Sequence, residues 1–129
     1  VVDLGAGYGK TLFYLASSWD YDTVGLECVS SYIYFFDILK RWLRFSSVAM
    51  LKRNIFYDEI PVGDVYIISG TCYSDRRLSD LADLLVKRAP EACFLSLSSP
   101  LINDRLITVD KFDVVCSWGR DYIYVQEVI

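Results

Sequence analysis

The chain has 129 residues, of which 53% are hydrophobic and 16% aromatic, and its formal net charge is −4, from 13 basic and 17 acidic side chains. That length is sufficient for one domain with a buried core, and the apolar content excludes an intrinsically disordered segment. The absence of histidine excludes Ser-His and Cys-His nucleophile pairs. The net negative charge argues against a protein that binds nucleic-acid duplexes.

The four cysteines stand far apart and form no C-x-x-C pair: Cys28, Cys72, Cys93 and Cys116. With no histidine to join them, we expect no metal site and reduced thiols in a cytoplasmic protein. No apolar stretch approaches the roughly 20 residues that a membrane span requires. Asp3 and the glycines after it interrupt any signal-peptide pattern. The expectation is a cytoplasmic domain without a membrane partner.

The first ten residues predict a strand, a tight glycine turn and the start of a helix. The apolar run Val1–Leu4 is followed by glycines at alternate positions, and apolar residues then recur at helical spacing: Leu12, Leu15, Ala16 and Trp19. Glycine permits the positive φ of such a turn and lets a ligand approach the backbone. The pattern indicates a nucleotide or cofactor cradle, although a glycine turn without a ligand is the alternative.

The glycine spacing separates two kinds of cofactor. The pattern is G-x-G-x-G, with Lys10 where a dinucleotide fingerprint has its third glycine, and Asp3 stands two residues before Gly5. This arrangement resembles the first motif of the class I S-adenosylmethionine-dependent methyltransferases. The resemblance implies that S-adenosylmethionine is the cofactor. It also implies a set of cofactor-binding residues here: Asp3, Gly5, Ala6, Gly7, Tyr8 and Gly9.

A second strand, Thr23–Glu27, ends in a carboxylate 18 residues beyond Gly9. An acidic residue about 20 residues after such a turn accepts hydrogen bonds from ribose hydroxyls. Glu27 and the adjacent Cys28 are therefore cofactor-binding candidates. The alternative for Glu27 is an exposed strand-end residue.

The next helix has Ser30 or Ser31 as its predicted N-cap. We expect its apolar stripe to be core, not a base-stacking platform: Phe35, Ile38, Leu39 and Trp42. Its other face carries Asp37, Lys40, Arg41 and Arg44. Together with Lys52 and Arg53, the basic residues form a local cluster that is interpreted as a solvated face.

The third strand, Val48–Arg53, leads into Asn54, Ile55 and Phe56. In methyltransferases, Asp or Asn at this place meets the adenine amino group, and an apolar neighbour lies against the ring. The resemblance thus adds these three residues to the cofactor site.

A further strand, Asp64–Ser69, opens into the loop Ser69–Ser74. Ligands of open α/β sheets bind beyond the carboxyl ends of the strands, so this loop should border the transferred methyl group. Ser69 is assigned to the cofactor, and Thr71, Cys72 and Tyr73 are the catalytic candidates. A helix from Ser74 to Pro90, a strand Cys93–Ser98 and a hairpin of 107–116 with 121–128 complete the chain.

Five alternating β/α units followed by this hairpin predict an α/β fold, a Rossmann-like methyltransferase sandwich whose mostly parallel sheet ends in an antiparallel hairpin. Residues 1–129 are expected to be a single domain. Because Val1 lies directly in a strand, we expect N-terminal elements to be lacking.

Three later segments resemble one methyltransferase family: 64–73, 94–101, and Ser117-Trp118-Gly119 before 122–125. Together they are similar to bacterial relatives of the non-SET histone-lysine methyltransferases of the disruptor-of-telomeric-silencing type. The resemblance implies a protein lysine or other nitrogen acceptor. Tyr8, Tyr73 and Trp118 are candidate walls of its entrance, and ordinary packing aromatics are the alternative. One departure is that Ser69–Tyr73 replaces an Asn-rich acceptor loop. The alternatives are a nucleic-acid methyltransferase and a non-catalytic cofactor-binding scaffold, and the oligomeric state stays open.

Overall fold

The structure is a computed structural model that describes residues 1–129. The chain is made of two compact units, Val1–Pro61 and Val62–Ile129. The first unit contains β1 (Val2–Leu4), α1 (Lys10–Trp19), β2 (Thr23–Glu27), α2 (Ser30–Leu43) and β3 (Val48–Lys52). The second contains β4 (Val65–Ser69), a 3₁₀ turn (Gly70–Cys72), α3 (Asp75–Arg88), β5 (Cys93–Leu97), β6 (Leu106–Cys116) and β7 (Gly119–Val128).

The first unit is a parallel three-stranded sheet in the order β3-β2-β1, with α1 and α2 as its two crossover helices. Leu4 lies opposite Leu26, and Glu27 lies opposite Lys52. Parallel neighbours cannot be joined by a tight turn, so each connection must carry a helix or comparable crossover. The carboxyl ends of the three strands therefore meet at one edge of the sheet.

The core of the first unit lies between the two helices and the sheet and contains two stacked aromatic rings. It is formed by Leu12, Phe13, Ala16, Phe36 and Val48. The rings of Phe13 and Phe36 stack with their centroids 5.0 Å apart. This contact packs α2 against α1. Each helix follows the end of a strand, so both N-termini lie at the edge where the strands end.

The second unit is a four-stranded sheet in the order β4-β5-β7-β6. β4 and β5 are parallel, whereas β5 pairs with β7 and β7 with β6 in antiparallel register. Helix α3 begins at its N-cap Ser74, whose hydroxyl accepts from the Arg77 N–H at 3.5 Å. It buries an apolar stripe of Leu78, Leu81, Ala82, Leu85 and Val86.

The mostly parallel α/β architecture and the terminal antiparallel hairpin confirm the predicted fold class. The predicted alternation of strands and helices was wrong in detail, because no helix lies between β3 and β4 or between β5 and β6. No helix of the chain combines the length and apolarity needed to cross a bilayer.

The predicted inner face of α2 was partly wrong. Phe35, Ile38 and Trp42 were expected in the core, but all three are exposed. Phe36 is the residue of α2 that is buried. The expected serine N-cap is wrong as well, since Val29 is the N-cap and no side chain caps the helix.

Candidate functional site

The three glycines fold the loop after β1 back onto the end of β2. The N–H groups of Gly5 and Ala6 both donate to the Leu26 carbonyl oxygen, at 2.9 and 3.0 Å. Gly5, Gly7 and Gly9 have φ values of 89°, 54° and 80°, a region that side chains with a Cβ disfavour. The predicted turn is therefore present, and each glycine has a conformational reason to be there.

Gly7 and Gly9 differ in what surrounds them. A Cβ on Gly7 would meet no atom within 4 Å, so this part of the loop borders open space. A Cβ on Gly9 would lie 2.4 Å from the Phe36 ring. Gly9 thus permits the close packing of α2 under the loop, while the space over Gly7 is where a ligand has room.

Glu27 joins the glycine loop to the loop after β2. Its Oε2 accepts from the Gly7 N–H at 2.9 Å, and its Oε1 accepts from the N–H groups of Cys28 and Val29 at 2.8 and 2.9 Å. The side chain is buried, in contrast to an exposed strand-end residue. Each carboxylate oxygen accepts about two hydrogen bonds, so one acceptor position remains, on Oε2.

Asp3 lies in the interior and is 6% exposed. Burial raises the pKa of its carboxyl from 3.8 to about 7; a hydrogen bond with the Thr11 side chain opposes this rise, and the nearby charge of Glu27 adds to it. Near pH 7 the carboxyl is therefore partly protonated. Asp3 therefore does not line open space, and its described hydrogen-bond partner is Thr11 in α1.

Tyr8 is half exposed at the tip of the loop and packs on α2. Its ring lies 4.5 Å from that of Tyr32 and 6.1 Å from that of Phe35, centroid to centroid. Cys28 is exposed in the adjoining loop. The glycine loop is thus in side-chain contact with α2 through Tyr8, and it is joined to the loop after β2 through Glu27.

Asn54 begins a turn directly after β3, at the same edge of the sheet. Its Oδ1 accepts from the Phe56 N–H at 3.0 Å, and its own N–H donates to Asp58 Oδ2 at 2.6 Å. The Arg53 N–H donates to the Glu27 carbonyl oxygen at 3.0 Å. Ile55 is buried and Phe56 is half-buried. Asn54 therefore lies beside the end of β2, with its side-chain oxygen engaged in its own turn.

In the second unit, the loop after β4 is a compact 3₁₀ turn. The hydroxyls of Ser69 and Thr71 are 3.0 Å apart, and Thr71 Oγ1 lies 3.6 Å from Cys72 Sγ. Thr71 and Cys72 are exposed and Tyr73 is half-buried. A Cβ on Gly70 would lie 2.8 Å from the Leu97 carbonyl oxygen, so glycine lets this turn pack on the end of β5.

The structure adds a group that sequence reasoning did not predict, at the end of β5. Ser98 has φ 71°, unusual for a residue other than glycine, and its hydroxyl bonds to Asp121 Oδ2. The same oxygen accepts from Trp118 Nε1 at 2.9 Å. These hydrogen bonds lower the pKa of Asp121. No local sequence pattern signals a pairing between residues 23 positions apart.

Gly25 is a second unpredicted contributor, although a glycine inside a strand is itself a signal of close approach. A Cβ there would lie 2.6 Å from Ala6 Cβ and 2.7 Å from Leu12 Cδ1. Its absence lets the glycine loop and α1 lie directly on β2. The structure groups no three side chains that could hold a metal ion.

No protein-family model matches the sequence, and no curated protein matches it. Solved structures do match its fold. TrmN from Thermus thermophilus superposes with a TM-score of 0.80 at 13% identity, covering 99% of this chain and 43% of that one. The mitomycin 7-O-methyltransferase MmcR gives 0.80 at 15%, covering 99% and 48%. An RNA methyltransferase from Salinibacter ruber, in complex with S-adenosyl-L-homocysteine, gives 0.81 at 17%, covering 99% and 78%.

This chain has a methyltransferase fold. The expected Rossmann-like methyltransferase architecture is thereby confirmed, whereas the finer likeness to the non-SET lysine methyltransferases stays a prediction. The chain spans less than half the length of TrmN and MmcR. The names of MmcR and of the Salinibacter protein give different acceptors, a small molecule and RNA.

Proposed function

We propose that this chain is an S-adenosylmethionine-dependent methyltransferase whose acceptor is a nitrogen, such as that of a protein lysine. The observation that carries the proposal is the link between the glycine loop and Glu27, in which Gly7 N–H meets Oε2 at 2.9 Å. The link holds two ligand-binding loops at the carboxyl edge of a parallel sheet, where α/β folds bind their cofactors. A protein with the same fold was solved with S-adenosyl-L-homocysteine.

The residues of the first unit fit this cofactor. The open space over Gly7 gives room for a ligand against the backbone, and no side chain caps the first turn of α1. The acceptor position left on Glu27 Oε2 suits one ribose hydroxyl. Asn54 and Phe56 lie after β3, at the edge where an adenine would be held.

When bound, S-adenosylmethionine supplies an electrophilic methyl group on a sulfonium. The protein then has to hold the acceptor in line with that methyl and to keep water out. We assign acceptor positioning to Thr71, Cys72 and Tyr73 in the turn after β4. The Thr71 hydroxyl can accept a hydrogen bond from an amine N–H, and a surrounding of low polarity lowers the pKa of an amine so that it arrives neutral.

The charge of the chain supports a cationic acceptor over a polyanion. A net charge of −4 raises the local concentration of lysine-rich segments and lowers that of nucleic acid. The alternative acceptor, RNA, is favoured by one observation, the name of the Salinibacter protein of the same fold.

The test has two parts. Calorimetric titration with S-adenosylmethionine and S-adenosyl-L-homocysteine should show binding by the folded chain; the absence of binding would contradict the proposal. Transfer of a radioactive methyl group is then measured to polylysine, to purified histones and to total RNA. Label that resists ribonuclease and is removed by protease supports the protein acceptor. Label that follows the RNA supports the alternative, and cofactor binding without transfer to any of them indicates a scaffold domain.

A further inference from the structure

The outward side of α2 carries an apolar face that the chain leaves at least about half exposed, with the Phe35 ring 6.1 Å from that of Tyr8, centroid to centroid. Phe35, Ile38 and Trp42 are 50%, 45% and 77% exposed, and Tyr34 beside them is 64% exposed. At 100° per residue, the first three lie within an arc of about 60°. We call these four residues the outer face of α2. Single exposed apolar residues are common, but contiguous apolar groups on a surface mark interaction sites.

Two opposite charges flank the outer face on the same side. Asp37 and Arg41 are exposed and stand one helical turn apart. If two such helices pack face to face and antiparallel, with their centre near Leu39, Asp37 of each chain lies opposite Arg41 of the other. The same arrangement brings Phe35 of one chain close to Trp42 of the other. The face is therefore complementary to itself in charge, and it places aromatic side chains opposite one another.

We propose that the outer face of α2 is the interface of a symmetric homodimer, in which a second copy of this chain packs its own α2 antiparallel. Such a contact is isologous, because one patch serves both chains and closes the assembly at two. The antiparallel arrangement also sets the dipoles of the two helices in opposition, which is favourable. The proposal does not depend on the chemistry that the protein performs.

The composition of the outer face distinguishes this partner from a single-stranded nucleic acid. Aromatic rings with arginine suit either one, since bases stack on aromatic side chains. A nucleic-acid site also needs an excess of positive charge along the strand. Asp37 offsets Arg41 at the edge of the face, and the chain carries −4 overall, although Lys40 and Arg44 lie further round the helix. The pairing of Asp37 with Arg41 of the other chain favours a second copy.

The size of the face sets the expected affinity. Helix α2 has 14 residues, a length of about 21 Å at 1.5 Å per residue. A contact along one such helix is smaller than the standard interface of about 800 Å² per partner. We therefore expect dissociation in the micromolar range and a mixture of monomer and dimer at ordinary working concentrations.

Sedimentation equilibrium of the full chain over a wide concentration range tests the proposal. Trp42→Ser should raise the dissociation constant at least tenfold. The matched control is Trp19→Ser, because Trp19 is also exposed, at 61%, but belongs to α1. The control should leave the dissociation constant unchanged. A chain that stays monomeric throughout the range, or equal effects of the two variants, would overturn the proposal.

Charge reversal provides a second test that loss of folding cannot imitate. Asp37→Arg and Arg41→Asp should each weaken the dimer about tenfold, since each places like charges opposite one another. The double variant D37R/R41D restores both pairs with reversed sign and should dimerise nearly as the wild type does. A double variant as weak as the single ones contradicts the antiparallel arrangement. Salt-sensitive binding of a single-stranded RNA oligonucleotide by a monomeric chain, lost in Trp42→Ser, would assign the face to nucleic acid instead.

Discussion

The Glu27 carboxylate accepts a hydrogen bond from the Gly7 N–H across a separation of 20 residues. With its other oxygen it accepts from Cys28 and Val29, so a single buried side chain ties the loops after β1 and β2. In the ligand-free chain, these three N–H groups occupy three of the roughly four acceptor positions of the carboxylate. Glu27 therefore has two roles under the proposed function, since it shapes the glycine loop and presents one remaining acceptor to the cofactor.

Replacing Glu27 by glutamine tests both roles. The amide oxygen can still accept from Cys28 and Val29, but the amide nitrogen then faces the Gly7 N–H, donor against donor. We expect S-adenosylmethionine to bind at least tenfold more weakly, the scale of a lost hydrogen bond to a charged group. Calorimetry gives the affinity, and circular dichroism verifies that the variant is folded. An unchanged affinity in a folded variant would remove Glu27 from the cofactor site.

Gly9 and Gly7 form a matched pair for alanine substitution. In Gly9→Ala the new Cβ meets the Phe36 ring at 2.4 Å, and that ring is held by its stack on Phe13. Overpacking and the positive φ together should cost about 3 kcal/mol of unfolding free energy.

Gly7→Ala has only the conformational cost, about 1 kcal/mol, because its surroundings are open. Its methyl group instead occupies space over the loop, so cofactor affinity should fall more than stability. Urea unfolding and calorimetry of both variants give the comparison. The reverse order of stabilities would show that the packing of α2 against Gly9 is not as the structure has it.

The sequence predicted the glycine loop well because its signals are local. Alternate glycines require positive φ whatever lies around them, and Gly5, Gly7 and Gly9 have it. The face that α2 buries was not predictable in the same way. The helix has apolar residues on two sides, with Phe36 on one and Phe35 and Trp42 on the other. Periodicity shows that such faces exist, but only tertiary packing decides which is covered.

Long-range polar contacts were equally beyond a sequence pattern. The strand-end position of Glu27 predicted a carboxylate at the cofactor edge, but not that three backbone N–H groups would already occupy it. The contact between Ser98 and Asp121 depends on the register of β5 and β7, which sets Leu97 opposite Ile123. The register of two paired strands depends on the whole sheet, so no short segment of the sequence predicts it.

Thr71→Val tests the assignment of the turn after β4 to the acceptor. The substitution keeps the shape of an exposed side chain and removes the hydroxyl that contacts Ser69 and Cys72. If the turn positions the acceptor, methyl transfer should fall about tenfold or more while cofactor affinity stays the same. Initial rates and calorimetry separate the two effects. Equal rates for variant and wild type would mean that the Thr71 hydroxyl takes no part in transfer.

Asp3 should make the stability of the fold depend on pH in an unusual direction for a carboxyl group. Its folded-state pKa, about 7, lies above the unfolded value of 3.8, because burial disfavours the charged form. The folded state therefore binds more protons between these values. The contribution of Asp3 to stability is fully present below about pH 4 and is lost as pH rises through 7, by up to about 4 kcal/mol.

Asp3→Asn cannot ionise and keeps an acceptor for Thr11. Urea unfolding from pH 4 to 8 should show the wild type losing stability relative to this variant across that window. A difference that stays constant with pH would show that Asp3 ionises normally in the folded chain.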